Sequence, residues 1–412
     1  MQKDPIASLR IADFRFFIAA RLFMTLATQM QAVVVGWQIY EHTKNPFWLG
    51  MIGLTEAIPF ISSALFAGHI ADIIERKKII LYSTFALVIC TGLLCAFTFN
   101  KSSILFQYGI WPVYGVIFIS GIARAFTAPS FFAFMSQIVP REQYSNASTW
   151  SSTVWQIGAV GGPAIGGLLY GLIGITNTYA IDFVLLLVAC ACFMFIAARP
   201  LAPRQVKEPL AESLAKGVRF VFQNEEILGA LTLDLFAVFF GGAVALLPIF
   251  ADKILMVGPI GLGLLRAAPS VGAVVMATIM VYWPPLKNAG RNMLFAVAGF
   301  GVCMILFAIS TNVYLSLFLL ALSGAFDSVS VIIRSTILQL MTPDEMRGRV
   351  ASVNNIFIGS SNEIGEFESG MAARFMRLVP SVIFGGSMTI LVVAYTSFKA
   401  KKLRRLQLHN KV

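Results

Sequence analysis

The segment GLTEAIP at residues 53–59 recurs 210 positions later as GLLRAAP at residues 263–269. A second, longer similarity begins with the Ser-Gly pair at 120–121 and returns at 323–324, an offset of 203. It extends to the charged residues that follow Pro140, where the corresponding position is again a proline. Two segments that repeat in the same order indicate that the chain consists of two related halves.

Both repeated segments lie in strongly apolar surroundings. Of the 412 residues, 58% are apolar and 12% are charged, and the mean hydropathy is +0.79. This composition is more apolar and less charged than that of a soluble domain, so most of the chain must face lipid. A helix needs about 20 residues to cross a bilayer. We therefore predict an all-α membrane protein with twelve transmembrane helices in two six-helix bundles, with spans at 14–40, 47–74, 79–99, 108–138, 143–173, 177–197, 226–250, 258–283, 290–310, 312–340, 346–373 and 379–398.

Lysines and arginines set the predicted orientation. With both termini in the cytoplasm, 22 of the 31 lie in cytoplasmic segments and five lie in outer loops, which is the asymmetry typical of membrane proteins. The net charge of +11 is explained by these loops and by the basic C-terminus. No basic face is left over, so we expect no nucleic acid as a partner.

A polar stretch separates the two halves. After its prolines, apolar residues from Leu210 to Val221 recur at helical spacing, which predicts an amphipathic helix on the cytoplasmic surface. The predicted domains are an N-terminal six-helix bundle at 1–198, a cytoplasmic linker at 199–225, a C-terminal six-helix bundle at 226–398 and a basic cytoplasmic tail at 399–412.

The sequence lacks the motifs of several other protein classes. Its five cysteines lie inside apolar runs and do not have the spacing of a metal site. It contains no His-Glu-x-x-His, no Gly-x-Ser-x-Gly and no phosphate-binding loop. We therefore predict neither an enzyme nor a metal ion or cofactor. A non-transporting intramembrane enzyme or assembly factor stays as the alternative from another class.

Four charged residues occupy equivalent positions inside predicted spans. Arg124 corresponds to Asp327, and Glu56 corresponds to Arg266, so the charge is reversed between the halves. A charge at membrane depth costs about 2.5–3.5 kcal/mol on insertion scales and usually faces the interior of a bundle. The pattern favours a polar site shared between the halves, and the alternative is a set of structural ion pairs.

The loop after the second span has the sequence GHIADIIERKK at residues 68–78. It resembles the loop signature G-x-x-x-D-R-x-G-R-[KR] of the major facilitator superfamily, and the resemblance covers essentially the whole chain. Ile73 replaces the usual arginine and Glu75 the usual glycine, so we expect a thinner gating network in this loop. The matching positions are Gly68, Asp72, Arg76 and Lys77.

The fifth span resembles the antiporter signature of the same superfamily. Its glycines recur every four residues on one face, which allows a neighbouring helix to approach closely, and its proline permits a bend. In the family this signature marks exporters rather than uptake symporters. The matching positions are Gly158, Gly162, Pro163, Gly166 and Gly167.

Further segments at 14–17, 35–40, 343–350 and 362–370 are similar to the branch of the superfamily that holds enterobactin and macrolide exporters. The resemblance implies a monomeric, proton-coupled exporter of small amphipathic molecules, such as drugs, siderophores or metabolites. It would work by alternating access in the bacterial inner membrane, with a small-molecule substrate, protons and the lipid bilayer as its partners. Proton-symport uptake of a small nutrient stays as the alternative within the same fold.

The same resemblance implies where substrate and protons bind. Spans 1, 4, 7 and 10 line a central cavity in this superfamily. The candidates for contact with substrate are Gln31, Arg124, Trp155, Gln156, Asp234, Arg266 and Asp327. Carboxylates that are crowded in a low dielectric hold protons more readily, so the candidates for proton coupling are Glu56, Asp327, Glu363 and Glu366.

Overall fold

The computed structural model describes residues 5–99, 103–199, 210–241, 243–283, 285, 287–343 and 346–408, without the side chains of 64–69, 71–73, 103–104, 106, 128, 132, 210–211 and 213–214. These residues form helices and connecting turns, and they contain no β-strand.

The α-helices of the described residues are α1 (Ala12–Thr43), α2 (Pro46–Ile73), α3 (Arg76–Thr98), α4 (Ser103–Tyr108), α5 (Trp111–Ile138), α6 (Tyr144–Phe195), α7 (Leu210–Gln223), α8 (Glu225–Gly241), α9 (Leu247–Ile249), α10 (Gly258–Tyr282), α11 (Ala289–Ile309), α12 (Val313–Met341), α13 (Arg347–Met376), α14 (Leu378–Lys399) and α15 (Lys401–Arg404). A 3-10 turn at Ala243–Leu246 and a π-helical turn at Phe250–Ile254 continue the span that begins with α8.

These helices match the predicted spans. Nine helical segments of the described residues are long and apolar enough to cross a membrane, and one of them, Arg141–Phe195, holds two predicted spans in a single run. The helices α2 and α13, with 28 and 30 residues, correspond to the other two. Each predicted span therefore has a helical counterpart, with ends that differ by a few residues. The short helix α4 was not predicted.

The repeat extends to the backbone of the turns. The long helix α6 breaks at Gly174, where φ is 80° and ψ is 172°. The corresponding turn, 203 residues later, is Arg377 between α13 and α14, with φ 71° and ψ 168°. Glycine adopts this left-handed conformation at little cost, whereas a residue with a β-carbon is strained there. The two halves thus make the same turn, one without strain and one with it.

The first of two compact units comprises residues 1–42, 55–205 and 258–267. Its core contains phenylalanine rings from α1, α5 and α6, with centroids 5.5–6.4 Å apart. Aromatic pairs at this separation add to the stabilisation that burial provides. The rings belong to Phe14, Phe17, Phe131, Phe134 and Phe193.

The second compact unit comprises residues 43–54, 206–257 and 268–412. Its core is mostly aliphatic and is drawn from α8, α11, α12 and α13 together with the chain after α14. Fully buried members include Ile227, Leu233, Met293, Ile333 and Ile337.

Two segments outside the spans also belong to the second unit. A helix, α7, is present where the amphipathic helix was expected, and its Val221 is fully buried. Gly217 of α7 lies against the backbone of Arg349, where a β-carbon would be 3.0 Å from the carbonyl oxygen. After α14, Leu403 and Leu408 are fully buried. Both segments are therefore packed against the unit instead of extending from it.

Each unit contains a close crossing between a glycine of the first half of the sequence and a glycine of the second half. In the first unit, a β-carbon at Gly167 of α6 would lie 2.7 Å from the Cα of Gly263 of α10. In the second unit, a β-carbon at Gly50 of α2 would lie 2.9 Å from the Cα of Gly370 of α13. Small residues let helix backbones approach this closely. Gly167 and Gly370 are themselves related by the offset of 203.

Candidate functional site

The first unit holds a polar cavity with a volume of 480 Å³. The helix α1 contributes Arg21, Thr25, Thr28 and Gln29, which recur at intervals of three and four residues and so share one helix face. The helices α5 and α6 complete the wall with Arg124, Thr127, Phe131, Ser148, Ser151, Ser152 and Trp155. The cavity therefore combines two arginines and several hydroxyl groups with two aromatic rings.

Arg21 provides a positive charge with no acidic partner among the described residues. Its guanidinium carbon lies 5.6 Å from the centroid of the Phe131 ring, which is a cation–π contact. Its Nε is buried and forms no hydrogen bond within the described part of the chain. Within the described part of the chain, the Nε of Arg21 thus has hydrogen-bonding capacity that no protein group uses.

The second arginine of the cavity is already paired. Arg124 of α5 forms an ion pair with Glu56 of α2. A neighbouring arginine favours the charged form of a carboxylate. This pairing makes Glu56, one of the residues predicted to couple protons, a weaker candidate for that role than an unpaired carboxylate would be.

The glycine face of α6 determines where α1 lies. A β-carbon at Gly158 would lie 2.6 Å from Thr25, and one at Gly162 would lie 2.6 Å from Gln29. A β-carbon at Gly166 would be 3.0 Å from the Cα of Met30. Because these positions lack side chains, the polar face of α1 packs directly against α6 beside the cavity.

The second unit holds an acidic cavity with a volume of 380 Å³. Its polar residues are Asp327 of α12 and Asn362, Glu363 and Glu366 of α13. The rest of the wall is largely apolar and includes Val244, Leu247, Phe300, Met304 and Leu320. Three carboxyl groups thus border one partly apolar space.

The two glutamates lie where α2 crosses α13. A β-carbon at Gly53 of α2 would lie 2.7 Å from the Cβ of Glu366 and would overlap the carbonyl oxygen of Glu363. The absence of a side chain at Gly53 therefore leaves the space that the stems of these glutamates occupy. The face of α13 that carries the two glutamates is therefore part of its contact with α2, at a position where α2 has no side chain.

Asp234 has a different position from the one expected. It is buried in the second unit, where it bonds with Arg334 of α12, and both side chains are only 6% exposed. A paired, buried carboxylate does not reach a ligand in a cavity. Asp234, predicted as a substrate contact, thus forms a buried ion pair and lines neither of the two cavities.

Gln31, also predicted as a substrate contact, lies on another face of α1. Its Nε2 donates a hydrogen bond to Oγ1 of Thr91 on α3, at 3.0 Å, and it does not line the first cavity. Gln156 and Arg266 are half-buried and line neither of these two cavities. Trp155 lines the first cavity with its side chain 45% exposed.

The basic residues of the loop signature hold helix ends. Arg76 donates from Nη1 to the carbonyl oxygen of Ala133, at 3.0 Å, and Lys77 donates to that of Met194, also at 3.0 Å. These carbonyls lie near the C-terminal ends of α5 and α6, where positive charge is favourable. The side chains of the signature's other two positions, Gly68 and Asp72, lie outside the described residues.

Several cavity residues were missed by the sequence analysis. Arg21, Thr25, Thr28 and Gln29 carry a recognisable signal, since they are polar residues at helical spacing in an otherwise apolar span. We call the part of α6 after Gly174 its second arm. Its only charged residue is the buried Asp182, which was not predicted as a functional residue either.

Residues 3–411 match the sequence family described as transmembrane secretion effector, of the major facilitator superfamily. The chain is 26% identical over 398 residues to an enterobactin exporter of Shigella flexneri, covering 96% of this chain and 93% of the relative. It is 27% identical over 341 residues to an enterobactin exporter of Shigella dysenteriae, covering 82% and 79%. The similarity to that family and to its exporter branch is confirmed.

Solved structures show the same fold. A bacterial homolog of the human lysosomal transporter Spinster, in an inward-facing and unoccupied conformation, aligns with a TM-score of 0.75 at 14% identity, covering 95% of this chain and 98% of that one. A POT family transporter in complex with 5-aminolevulinic acid aligns with a TM-score of 0.75 at 10% identity, covering 95% and 96%. The predicted major facilitator fold is confirmed, and so is the prediction of a membrane transporter instead of an enzyme.

Proposed function

Because the chain belongs to the transmembrane secretion effector family of the major facilitator superfamily, we propose that it is a proton-coupled exporter of small amphipathic molecules. We further propose that its substrates carry an acidic or phenolic group. The observation that carries this proposal is the first cavity, in which Arg21 has no acidic partner among the described residues and lies beside hydroxyl groups and aromatic rings.

The chemistry of the first cavity supports this class of substrate. Hydrogen bonds to a charged group contribute about 1.5–3 kcal/mol, so Arg21 would select for an electronegative group. The hydroxyls of Thr25, Thr28 and Ser151 offer adaptable donors and acceptors. The exposed ring of Trp155 offers a surface for an aromatic or aliphatic body. A siderophore such as the enterobactin named for the relatives is one candidate.

The second cavity supports proton coupling. Asp327, Glu363 and Glu366 border one space, and neighbouring carboxylates disfavour their simultaneous ionisation. Such a group takes up and releases protons near neutral pH more readily than an isolated carboxylate. In this proposal the two glutamates carry the proton and Asp327 contributes to gating or to substrate contact.

The two glycine crossings support alternating access. In the first unit, Gly167 faces Gly263, and in the second, Gly50 faces Gly370. Faces without side chains close tightly by van der Waals packing and separate without breaking strong polar bonds. By the distribution of lysines and arginines, these crossings belong to the outer side of the bacterial inner membrane, with both termini in the cytoplasm.

Everted membrane vesicles provide the test of direction and coupling. Respiration acidifies their interior, and a proton-coupled exporter then accumulates substrate inside while it releases internal protons. We expect iron-free enterobactin, or another acidic aromatic compound from a panel, to accumulate only with the proton gradient. Vesicles from cells without the chain are the control. Accumulation in right-side-out vesicles alone would instead identify uptake, and accumulation without any gradient dependence would contradict proton coupling.

A further inference from the structure

The second arm of α6 carries a buried acid that the proposed transport mechanism does not use. Asp182 is 1% exposed. Neither of its carboxyl oxygens forms a hydrogen bond within the described part of the chain. An intramembrane acid without a partner is rare, because an ion in such a place lacks both water and a countercharge.

Three neighbouring stretches of helix carry no countercharge for Asp182. No Lys, Arg, Asp or Glu occurs in α1 between Arg21 and Glu41, in α3 after Lys78, or elsewhere in the second arm of α6. The titratable side chains of these stretches are tyrosines and cysteines, which are uncharged near neutral pH, among them Tyr179 on the same helix and Cys90 and Cys95 on the adjoining α3. The amides Gln31 and Gln38 of α1 bond to Thr91 of α3 and to Tyr179. In the conformation seen here, the neutral acid is therefore the favoured form.

Asp182 makes no hydrogen bond among the described residues that would explain an acid at this position by its contribution to stability. A neutral carboxyl group contributes to stability mainly by donating a hydrogen bond, and Asp182 donates none among the described residues. The second unit shows the alternative: the buried Asp234 is bonded to Arg334. An acid kept neutral and unbonded fits a group that exchanges its proton when its surroundings change.

Polar groups are spaced along the helices between the exposed end of α1 and Asp182. At that end, Glu41 accepts hydrogen bonds from Nε1 of Trp37 and from the hydroxyl of Tyr170, both at 2.7 Å. One turn deeper, Gln38 accepts a hydrogen bond from the hydroxyl of Tyr179, at 2.7 Å. Asp182 follows Tyr179 by three residues, or about 4.5 Å along the helix.

We propose that Asp182 is a second proton-binding site, located in the first unit and reached from the outer end of α1 through Glu41, Gln38 and Tyr179. In this step the carboxylate of Asp182 accepts one proton and no other bond changes. The role of this site in transport rests on the proposed proton coupling. Proton binding at Asp182 does not depend on that proposal and can be tested without any transport. It is separate from the acidic cavity that Asp327 borders.

Infrared difference spectroscopy of the purified full chain tests proton binding without any substrate. A protonated carboxylic acid has its own C=O stretching band, and we expect the bands that decrease as the pH is raised through the neutral range to include one from Asp182. Asp182→Asn should remove this band, whereas Asp327→Asn should leave it. The proposal would be overturned if Asp182→Asn removed no band, or if the band that it removes stayed constant at every pH.

Transport in proteoliposomes tests the role of the site. With iron-free enterobactin as the probe, or the compound found in the vesicle assay, Asp182→Asn should lower gradient-driven transport to the level seen without a gradient. Exchange of internal for external probe, which needs no net proton movement, should continue. Tyr179→Phe should slow gradient-driven transport but not exchange. Normal gradient-driven transport by Asp182→Asn would overturn the coupling role even if the infrared band titrates, and loss of exchange as well would show a structural role.

Discussion

The two units treat a charge that lies beside an equivalent position in different ways. In the second unit, Asp234 of α8 is bonded to Arg334 of α12, and the pair is buried. In the first unit, the residue that corresponds to Arg334 at the offset of 203 is Phe131. Arg21 of α1 lies over that phenylalanine ring and lines a cavity. One unit neutralises its charge inside the protein, and the other leaves it facing open space.

This difference separates structural charges from functional ones. A buried ion pair that is satisfied on both sides is fixed in place. An arginine that lies over an aromatic ring and has no acidic partner among the described residues has hydrogen-bonding capacity to offer a ligand. The first unit therefore presents a basic surface with hydroxyl groups, and the second presents carboxyl groups in its own cavity. We infer a division in which the first unit recognises substrate, while protons bind mainly at the acidic cavity of the second unit and also at the site proposed at Asp182.

The largest effect is expected from breaking the buried pair. Arg334→Leu would leave Asp234 charged and unpaired, which costs about 3–5 kcal/mol. Arg21→Leu should change stability by about 0.5 kcal/mol or less, because Arg21 has no ion pair among the described residues. Thermal unfolding in detergent compares the two variants, and Asp234→Leu/Arg334→Leu should recover much of the loss. Equal destabilisation by the two single variants would contradict the comparison.

A smaller effect is expected where the two units are alike. Gly162 packs against Gln29 of α1, and Gly365, at the offset of 203, packs against the backbone of Phe239 of α8. Leucine at either position must displace the neighbouring helix, which costs about 1–3 kcal/mol for overpacking. We expect Gly162→Leu and Gly365→Leu to insert into the membrane but to lose transport. Normal transport by either variant would show that its glycine face is not a required contact.

The smallest effect concerns the turn that the halves share. Arg377→Gly removes a β-carbon from a left-handed residue and should stabilise the chain by about 1 kcal/mol. Gly174→Ala makes the opposite change at the equivalent turn and should destabilise it by a similar amount. Chemical unfolding of the two variants measures both. The same sign of change for the two would show that the turns are not equivalent.

The sequence was sufficient for the spans and for the repeat. The predicted segments at 258–283 and 290–310 correspond to α10 and α11 within one residue at each end. Hydropathy succeeds here because every backbone polar group in a membrane must be satisfied within a helix. The short α4 was missed because a six-residue helix has no periodic signal.

The rotation of each helix was harder to predict. A span that is apolar on all sides has no strong amphipathic signal, so its sequence gives depth but not the direction of each side chain. For this reason the sequence suggested Gln31 as a cavity residue, whereas in the structure Thr28 and Gln29 line the first cavity and Gln31 bonds to Thr91. The partner of Asp234 depends on the rotation of two helices at once. Such pairings need three-dimensional coordinates.

The affinity of the purified chain for its substrate, measured against pH, tests the division of labour most directly. An exporter that exchanges substrate for protons binds them in alternation, so the affinity of the unaltered chain should fall as the pH falls. Arg21→Gln should lower the affinity about tenfold at every pH and keep this slope. Glu363→Gln/Glu366→Gln should bind within a few-fold of the unaltered chain and lose most of the slope, with the remainder coming from Asp182. Unchanged affinity in Arg21→Gln, or a full pH slope in the double variant, would contradict the account.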